Sequence, residues 1–315
     1  MVNVCEKNKL QVESFFEGDL PYVKIGGKNL PDVSKTFDCG QSFRFERVEN
    51  SGYDYEYGGV AFGRFVSFAN GGDCLYIFNC DERDFYGIWL DYLGMNDDYE
   101  EIDKDILSRS DTRALKNAVE FGRGIHILKQ EPWEALCSFI ISQNNNIPRI
   151  KKIIESLSLR CGTPIELCEE AKKHTSSSSS LCSFPSAEAL LALGEAGLFE
   201  LKTGFRAKYI FDAVSRTIDG RLSFEKIYAE PDIERAIELL CEVKGIGRKV
   251  ASCALLFGFN KYDAFPIDVW MKRVAEKYFS ELGDSLSGKT FGEYAGIAQQ
   301  YLFYYERWNN NAINE

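Results

Sequence analysis

Along the first 80 residues, apolar and polar positions alternate in short runs, the two-residue period of strands. Tyr53, Tyr55 and Tyr57 take every second place, Gly58-Gly59 offers a turn, and Val60, Phe62, Phe65 and Val66 resume the pattern. Gly71-Gly72-Asp73 offers a second turn before the run CLYIFNC. From Glu82 the spacing lengthens to that of helices, first in RDFYGIWLDYLG and again from Tyr99 to Phe121. Helices are predicted from there to the C-terminus. Pro132, Pro148, Pro185 and Pro266 stand where first-turn prolines would start helices. The serine run 176–180 reads as a solvated loop, and His174 beside it takes no role. The predicted class is α+β: an N-terminal antiparallel sheet domain with flanking helices over residues 1–121, then a mainly helical domain over 122–315.

One predicted helix pair stands out. ERAIELLCEV places Ile237, Leu240 and Val243 on one face, and KVASCALLFGF does the same for Val250, Cys253, Ala254 and Phe257. The linker VKGIG makes them a hairpin. Gly245 and Gly247 can turn backbone N–H groups toward a phosphate, with the Val250 amide just inside the second helix. A Gly-x-Gly can equally be a tight interhelical turn. Lys249 follows two residues after Gly247, and Asp268 lies nineteen residues further on, two after Pro266. Lys249 reads either as a surface charge or as a nucleophile. A nucleophilic amine must shed its proton, which burial and neighbouring cations favour and a neighbouring carboxylate opposes. Asp268 reads either as a helix N-cap or as a carboxylate facing a cleft, and one side chain can serve both.

At 315 residues, 45% apolar and 14% aromatic, the chain can bury two cores. The start MVNVCEKNKLQVESF has no basic segment leading into an apolar one, so no secretory signal is expected. No run reaches the roughly 18 apolar residues of a membrane span. Ten cysteines without short paired spacings suit free thiols in a reducing intracellular compartment. None follows Cys253, and His126 and His174 are the only histidines, so neither an iron–sulfur centre nor another metal is expected. The net charge of −11 argues against a nucleic-acid partner. Its distribution softens that: residues 1–125 carry 14 Lys/Arg against 23 Asp/Glu, whereas residues 126–315 carry 23 against 25. Lys244, Arg248, Lys249 and Lys261 fall in a stretch without any acid, and the local field governs contact.

With Gly245, Gly247, Lys249 and Asp268 in view, four further segments carry a resemblance. They are FDCGQSFRF (37–45), SFIISQNNNIPRI (138–150), TGFRAKYI (203–210) and YAGIAQQYLF (294–303). In this order they resemble the 8-oxoguanine DNA glycosylase/AP lyase family of helix-hairpin-helix DNA glycosylases, over nearly the whole chain. The resemblance implies a bifunctional enzyme acting on double-stranded DNA containing 8-oxoguanine, preferably opposite cytosine. A base inside a duplex is out of reach, so such an enzyme flips it and fills the gap. The resemblance makes Lys249 the Schiff-base nucleophile and Asp268 the carboxylate that steadies positive charge on the sugar. It puts Gly40, Cys253, Gln299 and Phe303 around the lesion base, with the Gly40 carbonyl meeting the N7–H that guanine lacks. It makes Asn144 the filler of the vacated space, Phe205 the aromatic wedge, and Arg149 and Arg206 the donors to the orphaned cytosine. For the two arginines, phosphate contacts or surface ion pairs are the other reading. Cys253 could also be simply a small buried apolar residue. No redox cofactor is implied, although a structural cation on the hairpin carbonyls is compatible. The chain is expected to act as a monomer away from membranes. Two departures stand out: Trp270 occupies a place where many members have a histidine near the phosphate backbone, and Pro266-Ile267-Asp268 lacks a preceding glycine. Two rivals were weighed. A monofunctional glycosylase for alkylated bases would lack the lysine, and a non-catalytic DNA-binding module would not need the pocket.

Overall fold

In a computed structural model, residues 3–5, 10–176, 181–281 and 286–311 are described, so Ser177 to Ser180 of the serine run lie outside the described residues. Seven strands form one antiparallel sheet: β1 (Asn3–Cys5), β2 (Leu10–Glu17), β3 (Leu20–Gly26), β4 (Phe45–Arg47), β5 (Tyr55–Ala61), β6 (Arg64–Gly71) and β7 (Cys74–Phe78). The strand order is β1-β2-β3-β7-β6-β5-β4. A short helix, α1 (Val33–Asp38), packs on β5 and β6.

The expected turn at Gly58-Gly59 is instead the middle of β5. The chain reverses at Phe62-Gly63, where Ala61 pairs with Arg64. These glycines are there for clearance, since a Cβ at Gly58 would strike the His174 carbonyl and one at Gly59 the Arg44 carbonyl. On this face of the sheet Glu56 of β5 is wholly buried. Residues 164–176 and 181–182 fold over that face, and Ile165, Leu167, Ala171 and Leu181 pack with Leu20, Phe65, Ala69 and Phe78. His174, given no role from sequence, is buried in this cover. Its ring stacks on Phe78 at 3.8 Å, Nδ1 lies 2.6 Å from Glu56 Oε1, and Nε2 lies 3.2 Å from Glu17 Oε2. Burial alone would depress its pKa; the bonds and charges of Glu56 and Glu17 outweigh burial and raise it.

The helices are α2 (Tyr99–Arg109), α3 (Arg113–Gly122), α4 (Pro132–Ser142), α5 (Ile147–Cys161), α6 (Ala187–Leu198), α7 (Ala207–Ile218), α8 (Ile233–Cys241), α9 (Arg248–Gly258), α10 (Val269–Tyr278) and α11 (Ala295–Asn311), joined by shorter turns. Pro132 and Pro148 sit in first turns, as expected. Pro185 and Pro266 do not. They precede the caps Ser186 and Asp268, whose side chains accept from the first-turn amides of α6 and α10. α9 is buried on all sides from Val250 to Gly258 and is the spine of the helical core. Two helices before residue 121 pack into this core as well. Tyr99, Ile102, Ile106, Leu115 and Val119 join it, and α11 lies along α3. The packing therefore crosses the sequence division at residue 121.

The segment after α1 ties the two cores together. Phe37 and Phe45 belong to the sheet core, while Cys39 and Phe43 belong to the helical one. Gly40 lies at their junction.

Candidate active site and nucleic-acid interface

The hairpin between α8 and α9 closes on itself, with Val243 N bonding Leu240 O and Ile246 N bonding Val243 O, both at 3.1 Å. Buried Val243 and Ile246 anchor it. Gly245 has φ +78°, and a Cβ there would drive into the Tyr209 ring. Gly247 differs. It is the N-cap of α9 at φ −103°, and its Cβ position faces open space. The first backbone bond of α9 runs from Ala251 N to Gly247 O at 3.0 Å. The first-turn amides of Arg248, Lys249 and Val250 thus come without helical acceptors, behind a cap with no side chain, at the positive end of a helix dipole. The Val250 side chain itself is buried and can act only through its amide.

Lys249 is the second residue of α9 and is half-buried, its Nζ 6.0 Å from the centre of the Phe139 ring. Cys253 follows one turn later; burial raises its thiol pKa, and the Lys249 charge opposes that. Asp268 enters from the start of α10. Its Oδ1 accepts from Trp270 N at 3.0 Å and Met271 N at 2.9 Å. Both expected roles of Asp268 therefore coexist, since a capping carboxylate also borders the cleft.

These groups meet in a cavity of about 80 Å³ lined by Gly40, Lys249, Cys253, Asp268, Gln299 and Phe303, together with Cys39, Phe139, Phe257, Pro266 and Gln300. Gly40 has φ +82°, in the region that favours glycine. Its neighbours are pinned by glutamines. Gln300 Nε2 donates to Cys39 O and Gln130 Nε2 to Gln41 O, both at 2.8 Å. The Gln41 side chain, wholly buried, donates to Thr36 O and His126 O and accepts from Leu128 N. Among the described residues no donor reaches the Gly40 carbonyl between them. Burial pushes the Cys39 thiol up to about 12, so it stays neutral. A larger cleft of about 840 Å³ lies on another side of Lys249, beside Asp232, Glu234, Arg248, Asp263 and Lys289. It lacks Asp268, Gln299 and Phe303, so the chemistry belongs to the smaller cavity.

Sequence reasoning missed five of the lining residues. Phe139 lies inside the quoted asparagine segment and Gln300 beside Gln299. Adjacent helical residues point about 100° apart, and only the fold tells which glutamine faces the pocket and which reaches Cys39. The wall role of Cys39, Phe257 and Pro266 has no local signal.

A second group lies around the asparagine triplet. Asn144 is exposed with φ +47°, Asn145 Nδ2 bonds Ile141 O at 3.1 Å, and Asn146 caps α5 through Arg149 N at 3.0 Å. Arg149 is exposed, and Phe205 is 46% exposed, its ring edge-on to that of Tyr209 at 5.9 Å. Arg206 departs from expectation. It is 3% exposed and its N–H groups point inward, with Nε to Gln143 O at 2.8 Å, Nη2 to Gln143 O and to Asn144 O at 2.8 Å, and Nη1 to Thr203 O at 3.1 Å. Its Cζ lies 4.4 Å from the Phe205 ring centre. Trp270 stacks beneath Arg273, whose Cζ is 4.8 Å from its ring. Among the described residues no cluster of three His, Cys, Asp or Glu is arranged for a metal. His126 is occupied with Leu93 O at 2.8 Å and with Tyr99, and burial lowers its pKa to about 4.

Comparison with known proteins gives a consistent pattern. Residues 26–136 match the family 8-oxoguanine DNA glycosylase, N-terminal domain, and residues 137–292 match the HhH-GPD superfamily of base excision DNA repair proteins. The 8-oxoguanine glycosylase/lyase of Clostridium acetobutylicum, solved with double-stranded DNA containing cytosine opposite 8-oxoG, superposes with a TM-score of 0.83 at 36% identity, covering 95% of this chain and 98% of that one. The N-glycosylase/DNA lyase OGG1 of Arabidopsis thaliana is 29% identical over 293 residues, 85% of this chain and 75% of that protein. A 3-methyladenine DNA glycosylase from Archaeoglobus fulgidus, at 22% identity and a TM-score of 0.67 over 90% of this chain and 98% of that one, shares the fold alone.

Proposed function

The chain belongs to the 8-oxoguanine DNA glycosylase/lyase family within the HhH-GPD superfamily, and from that premise we propose how its own residues carry the reaction. It is a DNA N-glycosylase with lyase activity that excises 8-oxoguanine from duplex DNA. The observation carrying the residue assignment is that Lys249 and Asp268, on different helices, border one cavity with Gly40, Cys253, Gln299 and Phe303.

The duplex docks with a phosphate on the first-turn amides of α9, where Gly247 leaves room for close approach. The flipped base slides between Cys253 and Phe303. The Gly40 carbonyl accepts the N7–H of 8-oxoguanine; guanine would set a lone pair against it, a difference on the order of 1–3 kcal/mol. Gln299 bonds the base edge. The neutral Lys249 amine forms a bond to C1′ as the N-glycosidic bond breaks, and that electron pair departs with the base, which takes up a proton. Asp268 steadies the positive charge on the sugar as this happens. Opening of the sugar ring leaves an iminium. Loss of a C2′ proton then sends electrons toward the iminium, and the 3′-phosphate leaves by β-elimination. Asn144 and Phe205 occupy the gap in the duplex. Arg149, exposed on the same face, donates to an orphaned cytosine, so excision is fastest opposite cytosine.

Borohydride treatment during reaction with an 8-oxoguanine duplex tests this. The unsubstituted protein gives a covalent adduct, whereas Lys249→Gln gives neither adduct nor free base while still binding the duplex. An undiminished adduct in that variant would assign the chemistry to another amine.

A further inference from the structure

Reading the N7–H of the lesion places the whole demand on one backbone carbonyl, and that carbonyl belongs to a glycine. A glycine lets its flanking peptides swing at little cost, so an unrestrained Gly40 carbonyl would turn aside for guanine and discriminate poorly. Packing at the glycine does not restrain it. The nearest atoms to a Cβ built there are the side-chain ends of Arg307, Ile147 and Phe303, at 3.8 to 3.9 Å. The restraint comes from the peptides on either side. Ahead of Gly40, Cys39 O accepts from Gln300 Nε2 at 2.8 Å; behind it, Gln41 O accepts from Gln130 Nε2 at 2.8 Å. Gln300 is 3% exposed, so its bond is sheltered from water. A second reach from the same helix, Arg307 Nη1 to Asp38 O, is exposed and 3.4 Å long, a weak restraint. Gln300 also follows Gln299 directly in α11. Adjacent helical residues point about 100° apart, so this helix can send one glutamine to the base edge and the next to the loop. That loop lies 261 residues back along the chain. The donor that holds the base and the acceptor that reads it then share one rigid frame.

We infer that Gln300 is a positioning residue for lesion specificity. It fixes the 39–40 peptide against the helix that carries Gln299, and so keeps the Gly40 carbonyl in the direction that rewards N7–H and penalises guanine. Gln300 acts through Gly40 and not on the base. The inference rests on the glycosylase reading above, with Gly40 as the reader of N7.

Gln300→Met keeps the length of the side chain and removes its donor. Single-turnover excision of 8-oxoguanine opposite cytosine should fall about tenfold, the change expected from one lost buried hydrogen bond. β-Elimination at a preformed abasic site should stay within about twofold, because Lys249 and Asp268 are untouched and no base remains to be read. A chemical double-mutant cycle tests the link to Gly40. In a Lys249→Gln background, adding Gln300→Met should weaken binding of the 8-oxoguanine duplex about tenfold. A duplex whose lesion carries carbon in place of N7 should lose under about twofold, since the contact being positioned is already gone. Equal losses on the two duplexes overturn the inference. So does an abasic-site rate that falls together with excision, which would make Gln300 a structural support alone, and so does unimpaired excision. If Gln300→Met does not fold, side-chain amide NMR of the unsubstituted protein decides. The Gln300 amide protons should exchange with solvent far more slowly than those of exposed Gln11, and equal exchange overturns the proposal. That measurement needs no activity. Failure of the functional reading would appear instead as no excision by the unsubstituted protein from any duplex.

Discussion

One carboxylate at position 268 does two jobs. Its Oδ1 takes the first amides of α10, which fixes where the side chain points, and the same group borders the cavity that Lys249 enters. Asparagine caps helices about as well as aspartate but brings no charge. Asp268→Asn should therefore leave the melting temperature nearly unchanged and slow excision by on the order of 100-fold, as loss of an electrostatic partner does. Asp268→Ala should lose the same catalysis and about 0.5–2 kcal/mol of stability as well. Thermal unfolding beside single-turnover kinetics checks both, and an unimpaired Asp268→Asn would leave the residue a cap alone.

Two elements invite the same kind of separation. In the hairpin, Gly245 is demanded by its φ of +78° and by the Tyr209 ring, whereas nothing in the fold demands glycine at 247. Gly245→Ala should cost about 1–3 kcal/mol of stability through backbone strain and displacement of Tyr209. Gly247→Ala should change stability by under about 1 kcal/mol yet weaken duplex binding about tenfold, equivalent to one lost 1.4 kcal/mol contact. Denaturant titration and fluorescence anisotropy on both variants would expose a reversed pattern. The cover over the outer sheet face, residues 164–176 and 181–182, depends on His174 in a pH-sensitive way. Its pKa is raised above the ordinary 6.5 by Glu56 and Glu17, so its charged form is favoured on folding. That contribution is fully present below about pH 6.5 and fades as pH rises through the higher folded value. His174→Gln should destabilise the protein by about 1–3 kcal/mol at pH 6 and by less at pH 9. Chemical denaturation at the two pH values measures it, and an equal loss at both would mean that only packing against Phe78 matters.

At the scale of the molecule, an acidic body of net charge −11 carries the hairpin, where the proposed phosphate contacts are backbone amides. Arg248, at the start of α9, is already paired with Glu234 at 2.7 Å, which leaves exposed Lys244 as the cation within the hairpin itself. Each phosphate neutralised by a free cation adds about 0.9 to the salt slope of binding, so the slope for a lesion duplex should be shallow, no steeper than about −4. Anisotropy titrations between about 50 and 200 mM salt test this, with a slope near −8 pointing to a broad cationic footprint instead. The two cores are joined by the stretch from Phe37 to Phe45, whose outer residues Phe37 and Phe45 pack in the sheet core and whose inner residues Cys39 and Phe43 pack in the helical one. Gly40 at that seam lines the cavity together with Cys39, Pro266, Asp268 and side chains of α4, α9 and α11. Among the described residues no helix is long and apolar enough to cross a membrane.

Local patterns alone were sufficient for the α+β division, the hairpin between α8 and α9 and the Asp268 cap, because periodicity and turn chemistry act over a few residues, whereas chemical roles for Lys249 and Asp268 came from the family resemblance. Packing between distant segments decided the rest. Gly58 and Gly59 look like a turn until His174 closes on the first and Arg44 on the second, leaving no room for a Cβ at either. His174 and Glu56, 118 residues apart, carry no mutual signal until folding brings them within hydrogen-bond distance. Arg206 reads like any exposed arginine beside an aromatic residue, and only the approach of the 143–144 turn shows where its donors go. A hydrogen bond or a steric clash between remote segments exists only in three dimensions, so the chain could announce its chemistry while the fold alone settled which residues hold that chemistry in place.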